Sequence, residues 1–263
     1  MLDNIRPGHD VAAPVHPARA SAARRLVRNI GPCLRTSIVS GTLVLLVAVL
    51  VPSLAAALAI GVLRHVDPPG SMLIWTQRLA GQTIDQRWVP LRQISPHLVR
   101  AVVASEDNQF CRHQGIDLRE IEAAWERMEQ MGEDNVRGGS TISMQVAKNL
   151  FLWSGRSYLR KAIEIPLALG LEQMWTKERI LEVYLNIAEW GPGVFGAEAA
   201  AQHHFRKPAS RLSEREAALL AVALPNPHLR VAGRPSANLL KVAGVVERRA
   251  RLAGPRVSCV PGR

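Results

Sequence analysis

One uninterrupted apolar block dominates the pattern of hydrophobic and polar positions along this chain. From Thr36 to Leu63 there are 28 consecutive positions without a charged residue. About 20 helical residues suffice to cross the hydrocarbon core of a bilayer, whereas the apolar part of a signal peptide normally has about 7–15 residues. The block therefore predicts a retained transmembrane helix over residues 36–63. The alanines at positions 55–57 keep a cleaved signal peptide open as the alternative.

After this block the apolar positions recur mainly at intervals of three and four, which is the period of an amphipathic helix. Few stretches show the alternation of a strand. Helix starts are indicated by Ser95 before a proline, Ser140 before a helix from Thr141 to Phe151, Asp117, Thr176, Ser236 and a capping box at Ser213. The part of the chain that follows the block is therefore predicted to be mainly α.

The chain divides into four predicted segments. Residues 1–35 form a basic tail without clear periodicity, which predicts disorder, and residues 36–63 form the span. Residues 64–93 are predicted to be a juxtamembrane connector with a short strand or loop, and residues 94–263 a single domain of ordinary size. Six arginines and two aspartates precede the span. The positive-inside rule then predicts a cytoplasmic N-terminus and a domain on the other side of the membrane.

Charge and cysteine content narrow the choice of partners. The formal net charge is +11, but a domain outside the cytoplasm meets no nucleic acid. We therefore predict no nucleic-acid partner, and expect anionic lipid headgroups and a phosphate-bearing substrate instead. The three cysteines have neither a framework nor a metal-ligand spacing. Cys33 lies on the predicted cytoplasmic side, so only Cys111 and Cys259 could pair, and the sequence does not favour that pairing.

The stretch from Ala104 to Gly115 carries the first candidate chemistry, because it contains the pattern E-D-x-x-F-x-x-H-x-G. Its two adjacent carboxylates, Glu106 and Asp107, stand where an amphipathic helix gives way to a glycine-containing turn. A carboxyl group beside apolar residues is one whose pKa can be adjusted for proton transfer. In isolation, a Glu-Asp pair more often simply ends one helix or opens the next.

Two later stretches combine helix N-termini with basic residues. Gly138 to Asn149 places two glycines before a helix, whose free N–H groups favour an anion. Arg160 to Glu164 has the pattern R-K-x-x-E, with Arg156 four residues earlier. Either stretch alone could be an ordinary capped helix with solvated side chains.

In order along the chain, these stretches resemble the signatures of the peptidoglycan glycosyltransferases, lysozyme-like enzymes that polymerise lipid II. Lys177 to Asn186 resembles a fourth signature, K-x-x-I-L-E-x-Y-L-N, and Glu189 to Gly196 fits a glycine-rich fifth. By themselves these last two are typical of structural segments. The resemblance covers about Ile94 to Asn226. It implies a mainly α, lysozyme-like glycosyltransferase domain on one N-terminal transmembrane helix.

The resemblance also implies roles for individual residues. Glu106 would be the catalytic base and Glu164 the second catalytic carboxylate, which either orients the cations or holds a divalent ion, Mg or Mn, on the pyrophosphate. No metal site made by the protein itself is expected. The implied substrate-binding residues are Asp107, Ser140, Thr141, Gln145, Lys148, Asn149, Arg156, Arg160 and Lys161.

The implied reaction joins the growing lipid-linked glycan to lipid II, with inversion, a β-1,4 linkage and release of undecaprenyl pyrophosphate. The implied location is a bacterial inner (plasma) membrane, with the catalytic domain periplasmic and other cell-wall synthesis or division proteins as partners. We expect no transpeptidase activity, because no Ser-x-x-Lys follows the span, no Lys-Thr-Gly occurs, and 33 residues follow Arg230. The alternatives are a membrane-anchored lysozyme-like enzyme that cleaves glycan and a non-catalytic cell-wall scaffold.

Three positions depart from the family pattern. Met144 stands where a glutamine is usual, and Ala123 where a basic residue often contacts the substrate; Arg119 or Arg127 could replace that contact. Pro166 lies inside the predicted helix from Arg160 to Trp175. Since proline removes a backbone donor and clashes with the preceding turn, we expect a kink near Glu164.

Overall fold

The computed structural model describes residues 40–44, 46–131, 139–153, 155 and 157–260. The predicted basic tail and Arg156 lie outside these residues. The helices are α1 Ser40–Leu63, α2 Met72–Leu79, α3 Pro96–Glu106, α4 Leu118–Met131, α5 Ile142–Phe151, α6 Tyr158–Met174, α7 Lys177–Ile187, α8 Ala197–Phe205, α9 Glu214–Ala223 and α10 Ala237–Arg251. The strands are β1 Asp85–Gln86, β2 Glu189–Gly191 and β3 Val194–Phe195. The prediction of a mainly α fold is confirmed.

Helix α1 is long and apolar enough to cross a membrane, with a mean hydropathy of 2.8 in its most apolar window. Only 6% of that window is buried, so the helix is not a core helix of the domain. It coincides with the predicted span over the residues that are described. The chain divides into two compact units, up to residue 55 and from residue 56 onwards, and the following paragraphs concern the second.

Buried faces of α3, α5, α7 and α9 build the core. On α7 the buried residues include Ile180, Leu181, Tyr184 and Leu185. Helix α9 buries a run of small and branched residues from Ala217 to Ala223, which lets α3 and α10 approach it closely. Helix α5 packs between α6 and α7. This arrangement places the end of α3 beside the start of α5, where the candidate chemistry lies.

Most predicted helix starts are confirmed, and one is wrong by a residue. The side chains of Ser95, Thr176, Ser213 and Ser236 each accept a hydrogen bond from the first turn of the following helix. The cap of α5, however, is Thr141 rather than Ser140, and the helix begins at Ile142. The reason is tertiary, because the Thr141 hydroxyl also donates to the backbone oxygen of Gly115, at 2.6 Å.

Two expectations for α4 and α6 meet different outcomes. Asp117 caps α4 as predicted, because its Oδ1 accepts from the backbone N–H groups of Arg119 and Glu120. Leu118, the first residue of α4, is 73% exposed although it is apolar. Helix α6 continues through Pro166, and the kink expected near Glu164 stays a prediction.

Residues 64–93, predicted to be a connector, contain regular structure that is joined to the helices. They hold α2 and β1, and β1 pairs in parallel with β3, which pairs antiparallel with β2. Asn186 of α7 secures the same segment, because its amide exchanges two hydrogen bonds of 2.9 Å with the backbone of Val89. Gly193 lies so close to Thr83 that a Cβ would stand 2.3 Å from its carbonyl oxygen. Only glycine fits this contact.

The C-terminal end of α1 is fastened to α6 and α7. The Trp175 indole N–H donates to the backbone oxygen of Ile60 at 2.7 Å. Arg179 donates to the backbone oxygens of Leu63 and Val66, at 3.0 and 2.7 Å. A cation at a helix C-terminus satisfies carbonyl groups that lack a partner within the helix. These bonds lie within the second unit and hold residues 60–66 against the end of α6 and the start of α7.

Cys111 and Cys259 form a disulfide, with their Cα atoms 5.5 Å apart. The expectation that they would not pair was wrong. The two cysteines are 148 residues apart, and only the folded chain brings the C-terminal segment against the turn that follows Asp107. The disulfide ties these two segments together.

Candidate active site

Glu106 ends α3, where its carboxylate is half-buried and hydrogen-bonded. Gln145 Nε2 donates to Glu106 Oε2 at 3.1 Å, and the Ser105 hydroxyl makes a longer bond of 3.5 Å to Oε1. Burial raises the pKa of Glu106 above its ordinary value, while the two hydrogen bonds and the nearby charge of Lys148 act in the opposite direction. A raised pKa suits a carboxylate that must accept a proton near neutral pH.

Tyr184 fixes the amide of Gln145 in the orientation that Glu106 requires. The Tyr184 hydroxyl donates to Gln145 Oε1 at 3.1 Å, which leaves Nε2 directed at Glu106. Burial, together with the negative charges of Glu106 and Asp107, raises the pKa of Tyr184 well above its ordinary value, so it stays a donor. From the sequence alone, the motif that contains Tyr184 is typical of a structural segment. A tyrosine hydroxyl inside an otherwise apolar helix face is the one sequence feature that could have indicated this role.

Asp107 is buried, with three hydrogen bonds to its carboxylate. His113 Nε2 lies 2.9 Å from each oxygen, and the N–H of Ile142 donates to Oδ2 at 2.9 Å. The Gly115 N–H donates to His113 Nδ1, so the ring hydrogen is on Nε2 and points to Asp107. The resemblance implied substrate binding by Asp107. The geometry shows that Asp107 joins the end of α3 to the start of α5, and the substrate contact stays a prediction.

Gly115 and Thr141 complete this junction behind Glu106. Gly115 has a φ of +95°, and a Cβ there would stand 3.0 Å from the backbone oxygen of Ala168. Thr141 is buried and accepts from the N–H of Met144 at 3.1 Å. Met144 itself is fully buried. Its departure from the family pattern therefore changes the core and not the surface of the site.

Four charged side chains from α5 and α6 form the cation cluster, defined as Lys148, Arg160 and Lys161 around Glu164. Glu164 is 1% exposed, pairs with the Arg160 guanidinium through Oε1, and lies 3.3 Å from Lys161 Nζ through Oε2. Lys161 Nζ also donates to the Ser140 hydroxyl at 3.2 Å. One acid thus holds two of the three cations in place.

The cations crowd each other enough to affect their protonation. Burial, with the charges of Arg160 and Lys148, lowers the pKa of Lys161 to about 8. Burial and the charge of Arg160 also lower the pKa of Lys148, which the charge of Glu106 partly offsets. Grouped cations that are this costly to desolvate are typical of a site that receives an anion.

The remaining predicted residues contribute less to this geometry. Asn149 is half-buried beside Lys148, and Arg156 lies outside the described residues. Around Ala123, the Arg127 guanidinium lies 3.9 Å from Glu120, and Arg119 is exposed. The proposal that either arginine replaces the substrate contact at Ala123 stays a prediction.

A cavity of about 390 Å³ opens next to Glu106. Its floor comes from the end of α3 and the start of α5, and its rim comes in part from the C-terminal segment. The sequence gives no signal for the two rim arginines, Arg249 and Arg256, because the family resemblance ends near Asn226. The lining residues are Ala104, Ser105, Glu106, Asp107, Asn108, Gln109, Asp117, Glu120, Gly139, Ser140, Thr141, Arg249 and Arg256.

The described residues do not fit a divalent ion held by the protein. Both oxygens of Glu164, the carboxylate suggested for that role, are already engaged by Arg160 and Lys161. A divalent cation such as Mg²⁺ prefers several oxygen ligands. Within the described ranges, no three histidine, cysteine or carboxylate side chains converge in a way that could hold a metal.

Comparisons with known proteins agree with this arrangement. The family model described as transglycosylase matches residues 74–251. The chain is 53% identical over 192 residues to a protein of Agrobacterium fabrum, covering 73% of this chain and 84% of the relative. It is 51% identical over 197 residues to one of Rhizobium etli, covering 73% and 82%, and 55% identical over 197 residues to one of Rhodospirillum centenum, covering 74% and 84%. All three are named biosynthetic peptidoglycan transglycosylase.

Proposed function

This chain belongs to the transglycosylase family and is a glycosyltransferase, and we propose that it polymerises lipid II into β-1,4-linked glycan strands with release of undecaprenyl pyrophosphate. The observation that carries the proposal is the juxtaposition of a hydrogen-bonded, half-buried carboxylate at Glu106 with the cation cluster. The first group suits proton removal, and the second suits a leaving group with concentrated negative charge.

In the proposed reaction, the Glu106 carboxylate accepts the proton of the 4-hydroxyl group of the acceptor sugar. The hydroxyl oxygen then attacks C1 of the donor sugar from the face opposite the pyrophosphate. The new C1–O bond forms as the bond from C1 to the phosphate oxygen breaks, which inverts the configuration. Gln145, held by Tyr184, keeps the carboxylate oriented for this step. A base in hydrogen-bonding reach of its proton typically contributes about 10²–10⁴-fold in rate.

The cation cluster stabilises the pyrophosphate as its charge increases during bond breaking. Lys148 lies near both Glu106 and Arg160, so it links the base to the other cations. Glu164 acts as a positioning residue, because it fixes Arg160 and Lys161 before substrate arrives. A divalent ion on the pyrophosphate, the other role considered for Glu164, stays a prediction. No step of the proposed reaction passes through a metal.

The membrane arrangement follows from the substrate and from α1. We assign residues 36–63 as a single-pass anchor in the bacterial inner membrane, with a cytoplasmic N-terminus and a periplasmic catalytic domain. Residues 64–93 belong to that domain, because β1 and the Val89 backbone are hydrogen-bonded to it. Both substrates of the reaction are lipid-linked, so an enzyme anchored in the same membrane meets them in two dimensions. Other cell-wall synthesis or division proteins are the expected neighbours there.

The test is to incubate the full chain in detergent with lipid II and to separate the products by size. The expected result is polymer that a β-1,4-specific muramidase digests to disaccharide units. A parallel incubation with preformed glycan strands addresses the cleaving alternative. Shortening of those strands without any polymer from lipid II would contradict the proposed function, and inactivity in both incubations would favour the scaffold alternative.

A further inference from the structure

The cavity beside Glu106 has a cationic rim that is separate from the cation cluster. Arg249 stands in the last turn of α10, and Arg256 stands in the 3₁₀ turn Gly254–Val257. Both line the cavity together with Glu106, Ser140 and Thr141. The cations of α5 and α6 are not among its lining residues. Glu106 therefore has two cationic groups near it, contributed by different parts of the chain.

Among the described residues, neither rim arginine has an ion-pair partner, unlike other basic side chains around the end of α10. Arg251, two residues from Arg249, pairs with Glu214 and Glu247, and Arg215 also pairs with Glu247. Within the part of the chain that the structure describes, the Arg249 and Arg256 guanidinium groups form no such ion pair. A guanidinium presents a planar fork of donors that matches a carboxylate or phosphate group. Both arginines line the cavity, so such a group could reach them there.

The backbone that carries these arginines is held rigidly. Each arginine has a buried neighbour, Ala250 beside Arg249 and Val257 beside Arg256. The C-terminal segment is also bonded covalently to the catalytic turn through Cys111 and Cys259, and the Cys259 N–H lies 3.2 Å from Cys111 Sγ. A merely solvated basic patch requires no such fixing, whereas a binding group gains from preorganisation.

We propose that Arg249 and Arg256 form a second anion-binding subsite that holds an anionic group of the substrate filling the cavity next to Glu106. This inference rests on the proposed function, because it assumes that the cavity receives a lipid-linked sugar. The ligand is a phosphate or carboxylate group. It comes from one of two sources on the same substrate, either its pyrophosphate or the carboxylates of its stem peptide. The subsite aligns the sugar hydroxyl with the base while the cation cluster holds the other pyrophosphate.

The test compares Arg249→Ala, Arg256→Ala and the double variant with Arg248→Ala in the full chain. Arg248 is the matched control, because it is exposed on the same helix and is not part of the cavity lining. A hydrogen bond to a charged group corresponds to about tenfold in affinity. We expect KM for lipid II to rise about tenfold in each single variant and further in the double variant, with kcat changed less. Arg248→Ala should match the parent, and Lys in place of either arginine should restore only part of the affinity.

A second arm separates the two sources of the anion. The same variants are assayed with lipid II whose stem-peptide carboxylates are amidated. If pyrophosphate is the ligand, the arginine variants should raise KM for this substrate as they do for lipid II. If the carboxylates are the ligand, the variants should leave KM for this substrate unchanged. Either outcome supports the subsite and identifies its ligand. Unchanged KM in the double variant, or an equal change in Arg248→Ala, would overturn the inference.

A direct binding measurement separates failure of the subsite inference from failure of the proposed function. Lipid II binding in detergent micelles is measured for the parent and for the double variant, independently of turnover. A parent that polymerises lipid II, beside a double variant with unchanged affinity, leaves the function intact and overturns the subsite. A parent that binds but does not polymerise, beside a double variant that binds more weakly, supports the subsite and contradicts the function. Absence of binding by the parent would overturn both.

Discussion

The candidate active site has a carboxylate side, with Glu106 and Asp107, and a cation side, which is the cation cluster. The two sides differ in how far the fold itself satisfies their charged groups. On the carboxylate side, Asp107 and the Glu106 oxygen that faces Gln145 have their hydrogen-bonding partners within the fold, from His113, Ile142 and Gln145. On the cation side, three positive groups surround one acid, and burial and mutual repulsion lower the pKa of Lys148 and Lys161. The carboxylate side has its hydrogen-bonding partners before substrate binds. The cation side carries an excess of positive charge that a bound anion would balance.

Because of this difference, the carboxylate side should contribute to both stability and activity, whereas the cation side should contribute to activity at a cost in stability. A buried carboxylate with its bonds satisfied contributes to stability, so the Asp107 junction serves both purposes. Buried like charges destabilise the empty fold and are relieved by a bound anion. Substitutions on the two sides should therefore separate activity from stability in different ways.

The largest effect is expected from Glu106→Gln. The amide keeps the size of the side chain but cannot accept the proton, so turnover should fall about 10²–10⁴-fold. Lipid II affinity should be nearly unchanged, because the cation cluster is intact. The measurement is the rate of polymer formation at saturating lipid II. Near-normal polymerisation would remove Glu106 from the role of base.

Next in size is Lys148→Ala, for which we expect a loss of about tenfold to a hundredfold in kcat/KM, since removing one donor to a developing charge costs about that much or more. Thermal unfolding in detergent should show an unchanged or higher Tm, because a desolvated cation with a like-charged neighbour has been removed. Lys241→Ala, an exposed lysine of α10, controls for the loss of charge. A lower Tm for Lys148→Ala would make that lysine structural.

Asp107→Asn should lower the stability of the fold, in contrast to Lys148→Ala. Its new NH₂ group would face either the Nε2–H of His113 or the N–H of Ile142, which places two donors against each other. An unsatisfied buried group costs about 1–3 kcal/mol in the free energy of unfolding. Urea unfolding should detect this cost, while Asp85→Asn, which alters only a solvent-accessible ion pair with Arg87, should be close to neutral. A stable Asp107→Asn variant with impaired lipid II binding would support the substrate contact that the resemblance implied.

The smallest expected effect is a shift in the pH profile. The base must be deprotonated, so kcat/KM should rise with pH through the raised pKa of Glu106. The charge of Lys161 is lost as pH rises through its lowered pKa of about 8, so kcat/KM should then fall. Lys161→Arg keeps its charge and should move only the alkaline limb to higher pH. An alkaline limb that does not move would show that Lys161 is not the group responsible.

The features that the sequence predicted are those determined by neighbours along the chain. The caps at Ser95, Thr176 and Ser213 and the apolar length of α1 all follow from local spacing. The motifs indicated Glu106, Lys148 and Glu164 through the family resemblance. Their hydrogen-bond partners could not be read from local spacing.

The features that the sequence missed depend on contacts between distant segments. Asp107 meets Ile142 across 35 residues and Gln145 meets Glu106 across 39. Cys111 meets Cys259 across 148. The misplaced cap at Ser140 has the same origin, because the bond from Thr141 to Gly115 selects one of two suitable hydroxyl residues. Periodicity contains no information about such pairs.

The measurement that tests the account most directly is a paired one on Glu106→Gln and Lys148→Ala, with lipid II affinity and single-turnover rate determined for each full-length variant. The account predicts that Glu106→Gln binds lipid II like the parent and turns it over at least about a hundred times more slowly. Lys148→Ala should bind more weakly. If both variants lost affinity and rate to the same extent, the division of the site into a proton-accepting half and an anion-binding half would be contradicted.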